Sequence, residues 1–424
     1  MRPQNLGDGL VMRNATAEDI PALLEHFDIV HGKQINDEMR ALLEHYPRRS
    51  WEDVFVIVRP ESGEVVSCVM LQRNAWTLGG IEFSTVEMEA VGTLEAYRHR
   101  GHMRLINDEY ERRVSEIQPV FLAIAGIENF YRNFGYEFAA ALGGGYPVTP
   151  GFIPRLTKGE QEPVIFEKVD RKNFRKFLRY REAKISGTVR NTTWQRVIHP
   201  EDSAYLLFEP TTDEQEAFFY YLVKEQEKTV GVFYLSRWEN RVDVVELYLD
   251  TYKHVDAVLR FAQARAQEWG GLPVRVVPPN QAQIREYVRT RPAYGTKTIN
   301  RYAWYIKIPS IPRFIETLAP LLSDRLKQTE FHDFTGELKI TDYKEGFTLT
   351  FSNGEFGGIV ENEDRDPGKY NLRMPRGSMT RLLMGYETYD SLAGHEPDVI
   401  CSAAVQPIVM ALFPQQDANV DPFF

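Results

Sequence analysis

The chain has 424 residues, 43% of them hydrophobic, and a formal net charge of −10. That length exceeds one compact core and predicts two to four domains. The charge argues against nucleic acid as the main partner, because a binder needs a basic field to displace counterions from phosphates, while a cationic ligand is steered inward. No run approaches the ~20 apolar residues of a membrane helix, so no membrane partner is expected. The opening residues Met1 to Asp8 lack an apolar h-region, so no secretory signal is expected. Two cysteines, Cys68 and Cys401, lie inside apolar runs and point to a reducing cytoplasm. The nine histidines and two cysteines show no metal-ligand spacing, so no metal is expected.

Residues 11–14 read as a short strand, and Thr16 with Asp19 three residues on caps an amphipathic helix through Leu24. Residues 51–59 and 65–72 are strand-like runs around Glu61-Ser62-Gly63-Glu64, a hairpin pattern. Residues 83–91 alternate with period two, a strand with one buried face. Beyond it Met103, Leu105, Ile106 and Tyr110 fall at helical spacing, with Arg104, Asp108, Glu111, Arg112 and Arg113 on the wet side. An apolar strand at 120–124 and the run Phe130-Tyr131-Arg132-Asn133-Phe134-Gly135-Tyr136 follow. The Gly/Pro-rich stretch 143–154 closes this unit.

Between that strand and helix lies Tyr97-Arg98-His99-Arg100-Gly101-His102-Met103, a basic, glycine-bearing turn. The first N–H groups of a helix lack internal partners and carry its partial positive charge, so they bind phosphate oxygens. Neither Gly-x-Gly-x-x-Gly nor Gly-Lys-Ser/Thr occurs here. The turn resembles the Arg/Gln-x-x-Gly-x-Gly/Ala loop of the GCN5-related N-acetyltransferases, departing from it where Met103 replaces a small residue. The element order and the Phe-Tyr-x-x-x-Gly-Tyr signature at 130–136 fit the same family. The resemblance implies acetyl-CoA as co-substrate. Its pantetheine would lie on the strand-end backbone at Val91, Gly92 and Thr93, and its diphosphate on Arg98, His99, Arg100, Gly101, His102, Met103 and Arg104. It also implies that Tyr131 protonates the departing thiolate. From the residues alone, Tyr131 is also a candidate core tyrosine, as Tyr136 is, and Thr93 a turn residue.

Residues 166–270 carry a second αβ pattern. Phe174, Phe177 and Leu178 lie on a helix, 229–235 and 242–249 on strands, and 257–269 on a long helix. The loop Asp250-Thr251-Tyr252-Lys253-His254 has no glycine or arginine, so this copy is expected to bind no CoA. Residues 301–308 read as its terminal strand, and Pro309-Ser310-Ile311-Pro312 opens the last unit. There, 336–343, 346–354 and 357–361 form a meander and 379–386 a helix, a run similar to the sterol-carrier-like fold. The expected fold class is α/β and α+β in three units: 1–154 and 155–308, both acetyltransferase-like with the second degenerate, and 309–424, sterol-carrier-like.

That order resembles the Eis (enhanced intracellular survival) family. The resemblance implies an N-acetyltransferase for aminoglycosides or other multi-amine compounds, assembled as a hexamer. It also implies that the carboxylate of the last residue, here Phe424, is the base that reaches the first unit's pocket. Glu87 and Glu89, on one face of the 83–91 strand, are the competing bases, each also readable as part of a solvent-facing or cleft-lining row. A peptide or protein amine acetyltransferase, and a lipid-binding scaffold with inactive transferase units, are the alternative functions.

Overall fold

The structure is a computed structural model, which describes residues 1–32, 35–186, 193–207, 217–279, 281–290 and 303–420. The first part of the chain forms β1 (Gln4–Gly7), β2 (Leu10–Asn14), α1 (Ile20–His31), α2 (Asn36–His45), β3 (Val54–Arg59), β4 (Glu64–Leu78), β5 (Ile81–Thr93), α3 (His102–Ile117), β6 (Phe121–Gly126) and β7 (Glu137–Ala140). The middle part opens with β8 (Tyr146–Pro147), β9 (Ile165–Lys168), α4 (Phe174–Ser186), β10 (Gln195–Arg196) and α5 (Ser203–Leu206). It continues with β11 (Ala217–Glu225), β12 (Lys228–Trp238), β13 (Arg241–Leu249), α6 (Val255–Glu268), β14 (Val274–Val276), α7 (Ala282–Thr290) and β15 (Ala303–Lys307). The last part forms α8 (Ile311–Lys327), β16 (Gly336–Thr341), β17 (Gly346–Ser352), β18 (Glu355–Asn362) and β19 (Leu372–Arg373). It ends with α9 (Arg376–Leu383), α10 (Tyr389–His395), β20 (Ile400–Cys401) and α11 (Gln406–Leu412).

Local chemistry explains the entry to α1. The Thr16 N–H donates to the Asp19 carboxylate at 2.7 Å, and Arg13 grips both oxygens of that carboxylate, at 2.7 and 2.8 Å. The Arg13 hydrogen bond also holds the Asp19 carboxyl below its ordinary range.

Among the described residues the strands form three sheets. The first runs β1-β2-β3-β4-β5-β6-β15-β7 with β10 added on β4, the second β8-β14-β13-β12-β11-β9, and the third β18-β17-β16-β19-β20. The strand at 303–307, read in sequence as closing the second unit, therefore lies between β6 and β7 in the first sheet. Conversely β8, from the stretch that closes the first unit, pairs with β14 in the second. Ala303, Trp304, Tyr305 and Ile306 are all buried, so β15 has apolar neighbours on both faces, as a central strand requires.

The aromatic residues Trp76, Phe121, Trp194 and Trp304 pack edge to face, with Trp76 and Trp304 centroids 5.4 Å apart. Their cluster is continuous with α8 and the core of the last part, so first sheet and last part share one apolar core. Helix α8 is a finding the sequence reading did not anticipate. Its Ser310 hydroxyl accepts the Arg313 N–H at 3.3 Å, Pro312 sits in its first turn, and Phe314, Ile315, Leu318, Leu322 and Leu326 form its buried face.

The chain then returns to the first sheet. Ala141 N–H donates to Ala418 O at 2.7 Å, Val420 N–H to Ala141 O at 2.9 Å, and Trp304 Nε1 to Val420 O at 2.7 Å.

Candidate active site

Strands β5 and β6 run parallel only from Thr85 opposite Phe121 to Glu87 opposite Ala123. Next to this, the β4–β5 register skips between Cys68–Gly92 and Met70–Glu89, and Ala90 takes a left-handed φ of 53°. Such a bulge bends its strand. The end of β5 leaves β6, and a cavity of about 910 Å³ opens between them.

One end of the cavity is the loop before α3. Gly101, with φ 81°, is the N-cap, and a Cβ there would meet nothing within 4 Å. The Arg104 and Leu105 N–H groups both reach Gly101 O, at 3.0 and 3.2 Å, so the amides ahead of them stand at the open end of a sixteen-residue helix. His102 is buried there, its Nδ1 without a partner among the described residues. Burial, and secondarily the charge of Arg100, push its imidazole below the usual pKa and keep it neutral. The Arg98 Nε donates to Thr93 O at 3.2 Å and so ties the loop to the end of β5. A wide-open helix N-terminus, a neutral buried imidazole with a spare nitrogen and a basic rim fit a diphosphate.

Of the loop and strand-end residues singled out in sequence, Val91, Gly92, Thr93, Arg98, His99, Gly101, His102 and Met103 line the cavity. Arg100 lies over the Tyr97 ring, 5.4 Å from its centroid, and Arg104 is exposed; neither is in the lining. Gly92 lacks a side chain because α1 leaves no room: a Cβ would stand 2.8 Å from Val30 Cγ1 and 3.0 Å from His26 Nε2.

Tyr131 stands on the cavity wall beyond the end of β6, 7% exposed, with Phe130, Tyr136 and Tyr305 around it at centroid distances of 5.1, 6.3 and 6.1 Å. Tyr305 also accepts the Asn129 N–H at 2.8 Å, so the inserted strand β15 fixes the turn that presents Tyr131. Tyr136 is core, its hydroxyl 3.4 Å from that of Tyr110.

Glu87 and Glu89 separate. Glu87 is buried, with Oε1 accepting Trp76 Nε1 at 3.0 Å and Oε2 paired with Arg196. This corrects the reading of Glu87 as part of a solvent-facing or cleft-lining row: β10 adds to the sheet and carries a counter-charge onto it. Glu89 is half-buried and lines the cavity, its carboxyl pushed up to about 8 by burial and by the neighbouring Glu87. Phe424 lies outside the described residues.

The sequence reading missed the far wall. His31, Ile35, Glu38 and Met39 come from α1 and α2 and the turn between them, and Trp238 from the end of β12 in the second sheet. The Trp238 indole N–H is buried without a partner among the described residues.

The second sheet repeats the bulge. Its register skips between Val232–Tyr248 and Tyr234–Val245, with Glu246 at φ 47°. There the chain fills its own cleft. Arg181 pairs with the buried Glu246 at 2.6 and 2.7 Å, and the Gln281 amide takes both the N–H and the C=O of Leu249, at 2.7 and 3.1 Å. By register Leu249 corresponds to Thr93 of the first sheet.

Residues 11–139 match the acetyltransferase (GNAT) domain family. No curated protein matches the chain by sequence. The fold of the whole chain is shared with solved structures of low identity. A GCN5-related N-acetyltransferase from Anabaena variabilis superposes with a TM-score of 0.69 at 16% identity, covering 97% of this chain and 99% of the other. A probable N-acyltransferase from Enterococcus faecalis gives 0.70 at 13%, covering 98% and 100%. Eis1 from Mycobacterium abscessus gives 0.59 at 12%, covering 97% and 98%.

Proposed function

We propose that this chain transfers the acetyl group of acetyl-CoA directly to an amine of a polycationic small molecule, aminoglycoside-like or polyamine-like. The observation that carries the reading is one continuous cavity that joins the α3 N-terminus, the free end of β5 and Tyr131. The diphosphate would sit on the amides at Gly101 to Met103, and the pantetheine along Val91 to Thr93. The acceptor would enter past Glu38, Glu89 and Trp238, where Glu38 and, once ionised, Glu89 favour a cation and indole and methionine surfaces take its carbon skeleton.

The amine must be neutral to attack the thioester carbonyl. The base we assign is the α-carboxylate of Phe424. Val420, the last described residue, is pinned at Trp304 Nε1, and Trp304 pairs with cavity-lining Ala125. Four further residues span at most about 14 Å when extended. The acid is the Tyr131 phenol, which protonates the thiolate as the C–S bond breaks. The same reading takes the first and middle parts as paired transferase units, the last as sterol-carrier-like, and the assembly as a cytoplasmic hexamer.

Incubation with acetyl-CoA and a panel of polyamines, aminoglycosides and peptide amines, with thiol release followed, tests the assignment. Turnover with the multi-amine compounds supports it; no acetyl-CoA binding and no turnover with any amine overturns it.

A further inference from the structure

Strand β10 belongs to the middle part by sequence, yet it pairs with the far end of β4, Gln195 opposite Thr77 and Arg196 opposite Trp76. It is held from two sides. Trp194 N–H donates to Asp417 O at 2.8 Å, and Arg181 Nη2 donates to Arg196 O at 3.2 Å. This places the buried Arg196 guanidinium on Glu87, whose other oxygen is already taken by Trp76. A guanidinium does not lose its proton in a protein, so a buried one demands an ionised partner. Two residues along the same strand, Glu89 faces the cavity.

The titratable and charged groups within electrostatic reach of Glu89 come from several elements. Glu87 is on its own strand, Arg196 on β10, Tyr110 on α3 and Tyr205 on α5, with His31 and Glu38 across the cavity. Arg98, His99 and His102 stand at the loop end of the same cavity. Glu87 and Arg196 act on Glu89 with opposite sign, and Glu87 acts the more strongly.

We propose that Arg196 is a positioning residue for the cleft: together with its partner Glu87 it sets the protonation state of Glu89, and with it the pH above which the cleft draws in a cationic amine. This rests on the acetyl-transfer reading and adds the regulation of that site. Ionised Glu89 attracts an ammonium group; protonated Glu89 does not.

The test is the pH dependence of kcat/KM for the amine, at saturating acetyl-CoA, in wild type, E87Q, E89Q and E87Q/R196M. E87Q removes the charge that pushes Glu89 up and keeps the one that pulls it down, so the acid limb moves down by about 1–2 pH units. With both charges gone, the limb of E87Q/R196M lies between E87Q and wild type. E89Q has no such limb. A role in packing alone would scale the whole profile and leave its limbs in place. The double variant leaves no buried ion uncompensated, so it folds even where E87Q does not, and its limb must still lie below that of wild type.

Infrared titration of the protonated carboxyl band gives the same order without turnover: its midpoint lies highest in wild type, lowest in E87Q and between the two in E87Q/R196M, and the band is lost in E89Q. Bands in this order with no amine acetylated overturn the transfer reading and support the Arg196 assignment. Acetylation with limb and band unmoved in E87Q overturns the assignment alone.

Discussion

Tyr131 lays its ring on the backbone of Gly126: a Cβ at Gly126 would stand 2.2 Å from Tyr131 Cε2 and 2.4 Å from Cδ2. The absence of a side chain at the end of β6 thus decides where the phenol can be. Gly126→Ala must push the ring off β6, and a displacement near 1 Å at a reacting group costs about 100-fold in rate. Tyr131→Phe keeps the ring in place and removes only the hydroxyl. We expect it to lower kcat by about 10²–10⁴-fold with KM nearly unchanged, as loss of a general acid does. Steady-state thiol release with both variants checks the pair; full kcat in Tyr131→Phe would leave Tyr131 a packing residue.

The tail offers a second test. Val420 is fastened through Ala141 and Trp304, so a change beyond it leaves the described anchor intact. Deleting Phe424, or extending the chain past it, should reduce kcat by about 10²-fold or more while acetyl-CoA affinity, measured by calorimetry, stays within about twofold. A tagged protein with wild-type kcat moves the base role to Glu89, because Glu87 is tied to Arg196.

The first sheet and its loop were legible in sequence because their signals are local. Alternation over 83–91, the glycine at 101 and the Phe-Tyr pair at 130–131 each act within a few residues, and the strand, the helix start and the turn lie where expected; the strand, read as buried on one face, is buried on both from Thr85 to Met88. What could not be read depends on contacts far apart along the chain. The run 301–308 is recognisable as a strand, but nothing in it states that β6 and β7 will part to admit it. Glu87 and Glu89 look alike in sequence, and Arg196, 109 residues away, is what makes one structural and leaves the other facing the cavity. The start of α8 was written locally, in Ser310 and Pro312, and was passed over because proline was taken only as a breaker.

The Arg181–Glu246 pair fills the second bulge, 3% and 6% exposed. Arg181→Met leaves the Glu246 carboxylate buried and uncompensated, which costs about 3–5 kcal/mol. Replacing both, as Arg181→Met with Glu246→Leu, removes the orphan charge and should recover most of that loss. Denaturant unfolding of the two variants distinguishes the cases; equal stabilities would mean the pair is solvated, contrary to its burial.

His26 gives the stability a definite response to acid. It is 1% exposed, its Nδ1 lies 2.8 Å from Val65 O, and its Nε2 faces the backbone of Gly92 without a partner among the described residues. The Nδ1–H tautomer donates to that carbonyl, and burial, the largest cause, pushes the imidazole down to about 4. In the unfolded chain the same ring titrates near 6.5. Above that value neither state binds the proton and His26 has no effect on the pH dependence. As pH falls from 6.5 to 4, the unfolded chain gains a proton that the folded one refuses, so stability declines over that window, by about 3 kcal/mol in all. His26→Asn keeps a donor for Val65 O and removes the titration. Its unfolding free energy should therefore fall less steeply than that of wild type between pH 6.5 and 4, and run parallel to it above pH 7; parallel curves over the whole range would show that His26 takes up its proton as readily in the folded protein as in the unfolded chain.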